Sequence, residues 1–362
     1  MTLLMCEGFE TIPANNPGLV FTGYGTPPTD MTQYTGRFGR GKAWGRPGSN
    51  TTTSWWYLNG TVWGYSADTV GYIVGFAAKR TNWNNSFSVH SYMTSGSYTD
   101  AFQVRFIQDY IRVKMWNTDY PAYDVYLPEG TWAYVEWYYK RHSSTGRYHL
   151  KVNGNTIRDF TGDTRYSTGA SHVGVTFRGD AWAGFQFDDL YFLAVDGSGL
   201  NDFLGKCRVD PALPNGAGNY GQFTPSAGSN YECVDDDPYS ETDYVEADTD
   251  GDRDSYTIAS VDSDIVDRRI KAIQLTPAIA RTEDLANLDM TPFLRKSSVD
   301  YDGTLWNVPN TAYRIRRGLW TADPSDSNPW TKAKINACEI GVKLSKEVTT
   351  STTSTSTTST AA

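Results

Sequence analysis

A chain of 362 residues is long enough for two cores of ordinary size, and its formal net charge of -9 argues against a nucleic-acid backbone or an anionic membrane as the main partner. Charged residues make up only 20% of it, while Gly, Tyr, Trp, Thr and Ser are plentiful, so pleated half-buried surfaces are expected rather than helices. The first residues have neither the basic start nor the apolar run of a signal peptide, and no apolar stretch reaches membrane-spanning length, so no membrane insertion is expected.

Period-two alternation runs through the first two hundred residues and predicts strands with one buried face. Ala133, Val135, Trp137 and Tyr139 fall on one side of such a strand. Tyr148, Leu150 and Val152 alternate in the same way into Asn153-Gly154, whose tolerance of positive φ predicts a tight hairpin. Val173, Val175 and Phe177 give a further inward face, and the run from Phe185 to Leu193 is apolar on both sides, as a central strand should be. Strands at this spacing, divided by Gly, Asn, Asp or Pro, predict a sandwich or jelly roll.

From about Gly197 to Asp243 the alternation lapses into Pro, Gly and Asn with an acidic run, Asp235-Asp236-Asp237, which predicts a long connection over the surface. Alternation resumes at Tyr256, Ile270–Ile279, Tyr313 and most cleanly in Cys338–Leu344, predicting a second antiparallel unit. Asn328 followed by Pro329 predicts a short helix before the last strand. From Val348 the chain is almost pure Thr and Ser, a tract that buries no core of its own but is suited to pairing with a neighbouring sheet edge.

Several motifs match catalytic patterns by letter and fail on context. Gly36-Arg-Phe-Gly39-Arg-Gly41-Lys42 lacks the hydroxyl that a phosphate loop places after its lysine. Gly216-Ala-Gly218-Asn-Tyr-Gly221 matches a dinucleotide fingerprint but leads into Phe223-Thr-Pro225 instead of a helix. Glu241 and Glu246, with Asp243 between, have the spacing of a sandwich glycosidase, where two carboxylates must line a concave sheet. Asp248, Asp250, Asp252 and Asp254 alternate like a calcium loop, yet Arg253 and Ala259 replace the Gly and Glu that such a loop needs. His90, His142, His149 and His172 have no metal-ligand spacing and are expected to be solvent-exposed. Cys6, Cys207, Cys233 and Cys338 form no CxxC pair, so free thiols are expected, with a Cys207–Cys233 bridge as the alternative in an oxidising medium. Trp55, Trp56, Trp83 and Trp116 are the candidate sugar-stacking residues, set against the plainer role of aromatic core. No catalytic residue, metal site or cofactor is assigned.

Gly36-Arg-Phe-Gly39, Gly130-Thr-Trp132, Leu150-Lys-Val152-Asn153-Gly154 and Phe187-Asp188-Asp189-Leu190-Tyr191 resemble, as a set, the concanavalin-like, laminin-G-type jelly rolls. The continuation from Asn201-Asp-Phe-Leu-Gly205 through Leu213-Pro-Asn-Gly216 to Asn328-Pro-Trp330 and Asn336–Lys343 is similar to tailed-bacteriophage virion structural proteins. This resemblance implies an all-β fold: a concanavalin-like jelly roll over 1–200, a wrapped connecting segment over 201–242, a smaller C-terminal β-sandwich with one short helix over 243–347, and a Thr/Ser-rich tail over 348–362. It also implies a non-enzymatic virion component of tail, fibre, collar or capsid decoration, assembled in the host cytoplasm. Its partners would be other virion proteins and copies of itself, with no nucleic acid. Two other readings stand beside it: a phage adhesin that binds host surface glycan, and a sandwich-fold glycosidase using Glu241 and Glu246.

Overall fold

Alternating residues of the N-terminal part fold into fourteen strands among the described residues, laid out in two antiparallel sheets. In the computed structural model the described residues are 2–9, 31–48, 53–59, 70–82, 85–93, 102–115, 118–165, 172–197, 200, 202–261, 270–282, 288–308 and 311–346. The strands are β1 (Thr2–Glu7), β2 (Thr32–Thr35), β3 (Lys42–Arg46), β4 (Ser54–Asn59), β5 (Gly71–Arg80), β6 (Phe87–Met93) and β7 (Phe102–Ile107). They continue with β8 (Tyr110–Met115), β9 (Thr118–Tyr126), β10 (Ala133–Lys140), β11 (Gly146–Val152), β12 (Asn155–Gly162), β13 (His172–Gly179) and β14 (Phe185–Val195). The first sheet has the order β12-β11-β10-β5-β14-β3-β2, with β1 also on β14, and the second has the order β4-β13-β6-β7-β8-β9.

The core lies between them. Phe87 of the second sheet stacks on Phe185 of the first at 4.3 Å, and Phe102 stacks on Tyr148 at 4.4 Å. Each such side chain, fully withdrawn from water, contributes roughly 1.5–3 kcal/mol. The expected hairpin joins β11 to β12, with Asn153 at φ +52° and Gly154 at +88°, the conformation that a two-residue turn between twisted strands demands. Strand β14 is buried on both faces because it sits between β5 and β3, with the second sheet on one side and Leu200, Phe203, Leu204 and Leu319 on the other.

The C-terminal part is a second antiparallel β unit. Its main sheet has the order Pro214–Gly221, Arg253–Ile258, Glu339–Lys346, Leu288–Lys296, Val299–Asp302, with Trp306–Asn307 paired to Leu288–Lys296. Among the described residues, three two-stranded sheets accompany it. The stretch expected to be a surface connection thus supplies an edge strand, and its glycines explain why alternation missed it. A Cβ on Gly218 would lie 2.4 Å from Ser255 Oγ and 2.6 Å from Glu339 Oε2, so the strand packs by backbone approach instead of by apolar side chains. The one α-helix among the described residues is Lys332–Asn336, and its cap is Thr331, whose hydroxyl accepts from Lys334 N at 3.3 Å, instead of Asn328. The two parts touch through Gln274, whose side chain accepts from Cys6 N at 3.0 Å and donates to Cys6 O at 2.7 Å, and through the Arg317–Glu7 ion pair at 3.2 Å. The Thr/Ser tail lies outside the described residues. No helix among the described residues is long and apolar enough to cross a membrane.

Candidate functional site on the outer face of the second sheet

Directly opposed residues on neighbouring strands share a face. Phe87 and Val89, then Phe102, Val104 and Phe106, then Ile111, Val113 and Met115, and finally Val175 and Phe177 all enter the core, so the residues between them define the outer face of the second sheet. Two cross-strand rows result. In one, His90 pairs with Thr176 and Gln103, and Gln103 pairs with Lys114. In the other, Ser88 pairs with Arg178 and Arg105, and Arg105 pairs with Arg112.

The floor of this face is deep: His90 is 1% exposed, Thr176 2%, Ser88 3% and Gln103 6%, while Arg105, Arg112, Lys114 and Arg178 are half-buried. His90 Nε2 lies 2.5 Å from Ser88 Oγ, which fixes the ring between the two rows. Among the described residues, carboxylates stand at the margins. Asp124 takes both Arg112 Nε at 2.9 Å and Nη2 at 2.6 Å, and Asp180 binds Arg178 Nη2 at 2.8 Å while accepting from Ser86 Oγ at 2.5 Å. Asp119 is opposite Lys114 by register. The centre, on β6 and β7, therefore combines a histidine, a carboxamide, a hydroxyl and a guanidinium with no carboxylate among the described residues. Such a centre favours an anion with planar or multiple acceptor oxygens.

The four proposed stacking residues separate. Trp55 is opposite Arg178 and so holds an outer-face register position, whereas Trp56 is opposite Phe177 and holds a core-face one. Trp83 and Trp116 lie outside the described residues. Of the histidines expected in solvent, His90 is buried in the outer face, and His149 is half-buried, with Nε2 3.1 Å from Thr156 Oγ1 and its ring 4.9 Å edge-on to Phe203. Burial lowers the pKa of His149 from the ordinary value. Glu241 and Glu246 are exposed and belong to the segment beside the short Val245–Glu246 strand, not to this face. The alternating aspartates brace the last strand: Asp250 Oδ1 accepts from Lys346 N at 2.8 Å, and no cluster of three or more metal-ligating side chains occurs among the described residues.

A cavity of about 2050 Å³ lies elsewhere, between the β1 side of the first sheet and the C-terminal unit. Its size is larger than its chemistry. Much of its wall is apolar, including Leu3, Ile273, Leu275 and Ile340, and burial pushes the thiols of Cys6 and Cys207 up to about 12, which leaves them poor nucleophiles. All four cysteines are free thiols, so the alternative Cys207–Cys233 bridge is not formed.

No family model and no curated protein matches the sequence. Solved structures with a similar fold include the alginate lyase Aly36B, at 13% identity over 51% of this chain and 91% of that one, with a TM-score of 0.36. An endo-β-1,4-glucuronan lyase from the fungus Trichoderma reesei is similar at 14% identity over 46% and 90%, with a TM-score of 0.35. An alginate lyase from Chlorella virus is similar at 8% identity over 45% and 89%, with a TM-score of 0.34.

These findings correct two expectations. The three structures are named as polysaccharide lyases and none as a phage structural protein, which runs against the expected phage structural protein and against the expected non-enzyme. The motifs that carried the jelly-roll resemblance are framework. Arg37 N donates to Asp188 Oδ2 at 2.7 Å, Arg37 Nη1 donates to Asp189 Oδ2 at 3.0 Å, and Val209 N donates to Asp189 Oδ1 at 2.9 Å, so the motifs tie the turn at Gly36–Gly41 and the segment after β14 to the sandwich. A jelly roll of any function needs such ties.

Proposed function

We propose that this chain is a glycan-active β-sandwich protein that holds a uronate-bearing polysaccharide against the outer face of its second sheet. One observation carries the reading: the rows His90–Gln103–Lys114 and Ser88–Arg105–Arg112 bring a histidine, a carboxamide and cations to one surface whose described carboxylates sit at its edges. At TM-scores near 0.35 the likeness to lyases adds nothing to this; the charge and register of the face are its whole support.

The same groups decide what chemistry fits. Hydrolysis of a glycosidic bond needs two carboxyl groups about 5 to 9.5 Å apart, and Asp124 and Asp180 of this face are engaged by Arg112 and by Arg178 with Ser86. Elimination needs something else. Cations and amide donors must neutralise the uronate carboxylate so that the adjacent C–H becomes acidic, and a base must take that proton. The electron pair then forms a C=C bond as the glycosidic C–O bond breaks, and the leaving oxygen takes up a proton. Arg105, Lys114 and Gln103 are the groups for the carboxylate, and His90 is the base.

Incubation with polyglucuronate or polymannuronate tests this. The reading requires binding and the appearance of an ultraviolet-absorbing unsaturated uronate, lost on His90→Ala but with binding retained. Failure to bind any polyuronate would refute it.

A further inference from the structure

The turn between β13 and β14 places a bulky residue where the backbone favours none. Asp180 N donates to Ser86 O at 3.1 Å and Ala183 N donates to Asp180 O at 3.0 Å, which closes a four-residue turn with Trp182 in its third position at φ +65°. A left-handed residue at that position is ordinarily glycine, and bulky side chains held there concentrate at functional sites. The neighbours clamp the conformation. Asn82 Nδ2 donates to Trp182 O at 2.8 Å, Asn82 Oδ1 accepts from Gly184 N at 2.8 Å, Asn85 donates to Ala181 O, and Ser86 holds Asp180. Yet Trp182 remains 45% exposed. An indole held in a strained backbone that leaves nearly half its surface in water is poorly explained by packing.

A second aromatic station stands across the same end of the sheet. Tyr110 and Tyr126 are directly opposite each other, with ring centroids 5.9 Å apart at 67°, and they are 39% and 65% exposed. Tyr110 lies two residues before Arg112 on the outer face, as Asp180, the first residue of the Trp182 turn, lies two residues after Arg178. By register, Tyr110 and Asp180, the first residue of the Trp182 turn, therefore stand at the two ends of one further row beside that of Ser88, Arg105 and Arg112.

We propose that Trp182 and the Tyr110–Tyr126 pair are the two stacking ends of the acidic-glycan site, so that the sugar chain crosses the strands between them. The proposal rests on the reading of the second sheet's outer face as that site. Aromatic rings offer a flat apolar surface that matches the C–H face of a pyranose. From β13 through β6 and β7 to β8 there are three strand spacings, ~14 Å, which accommodates roughly three sugar rings that each advance by about one spacing.

Calorimetric titration with glucuronic-acid oligomers of two, four and six rings, and with a neutral β-glucan hexamer, tests it on wild type, Trp182→Gly and Tyr126→Ala. The expected result is affinity that climbs from two to four rings and then levels, with each variant weakening the four-ring ligand roughly tenfold. Trp182→Gly should melt no lower than wild type, since glycine relieves the left-handed backbone. If wild type binds the uronates and both variants bind them equally well, this inference is overturned while the proposed function stands. If wild type binds only the neutral hexamer and the variants lose it, the stacking ends stand and the acidic-glycan reading falls. Binding of neither ligand overturns both.

Discussion

The two outer faces of the jelly roll are built from opposite chemistry. On the first sheet, Ile73, Ala77, Tyr134, Tyr191 and Leu193 form an apolar patch that the chain itself covers with Leu200, Phe203, Leu204 and Leu319. Its polar groups are spent internally: Glu136 Oε1 accepts from Tyr191 Oη at 2.6 Å and Gly205 N at 2.8 Å, and Asp188 and Asp189 hold Arg37 and Val209. On the second sheet the same alternation delivers Ser88, His90, Gln103, Arg105, Arg112 and Lys114. A face that receives a second layer from its own chain turns its polar residues into framework. On the other face Ser88, His90 and Gln103 form a buried floor beside the half-buried Arg105 and Lys114, and the proposed site lies there.

That contrast can be broken in three ways, beginning with the largest effect. Tyr191 is 1% exposed, and a Cβ on Gly75 would come within 2.0 Å of its ring, so the side chain fills a closely fitted slot. Tyr191→Ala should cost about 3–5 kcal/mol in denaturant unfolding, by cavity formation and by stranding Glu136, with uronate affinity of the folded fraction unchanged. A loss below about 1 kcal/mol would show that the first face is not framework.

Next comes pH. Burial, reinforced for Asp188 by the adjacent Asp189 charge, raises both carboxyls above the usual carboxylate range, although Arg37 opposes it. A raised folded-state pKa means that the native protein holds more protons than the unfolded chain. The pair's contribution to stability is therefore complete below the ordinary carboxylate pKa and is lost as pH rises through the raised values. Melting temperature should fall across that window, and Asp188→Asn should flatten the slope; an unchanged slope would assign the dependence to other groups.

The smallest effect on stability belongs to the second face. Lys114→Ala should alter unfolding free energy by no more than about 0.5 kcal/mol, and Lys114→Ala and Arg105→Ala should each weaken polyuronate binding roughly tenfold through loss of a charge-assisted contact. A variant that lost stability and not affinity would make this face a second framework.

Much of the fold was legible because its signals are local. The Asn153-Gly154 turn and the doubly apolar run from Phe185 to Leu193 each announce their structure within ten residues. The edge strand at Pro214–Gly221 was missed because it packs through glycine, and alternation records side chains only. The candidate site was harder for a different reason. Phe87-Ser-Val-His90, Phe102-Gln-Val-Arg105 and Ile111-Arg-Val-Lys114 each show two polar positions and nothing more; only the register across β6, β7 and β8 turns them into rows. The net charge of -9 gave no hint of the row of Ser88, Arg105 and Arg112, because a sum over the chain carries no position. Letter-level motifs drew attention to loops, and the Phe187–Tyr191 signature that suggested a jelly roll is part of its scaffold.

The most direct test of the central claim is the affinity of wild type and Arg105→Ala for polyglucuronate and for a neutral glucan of equal length, measured at low and moderate salt. The expected result is a preference of wild type for the uronate that weakens with salt and is largely lost in folded Arg105→Ala. Equal affinity for the two polymers, or a preference that Arg105→Ala leaves intact, would contradict the assignment of the second sheet's outer face as the acidic-glycan site.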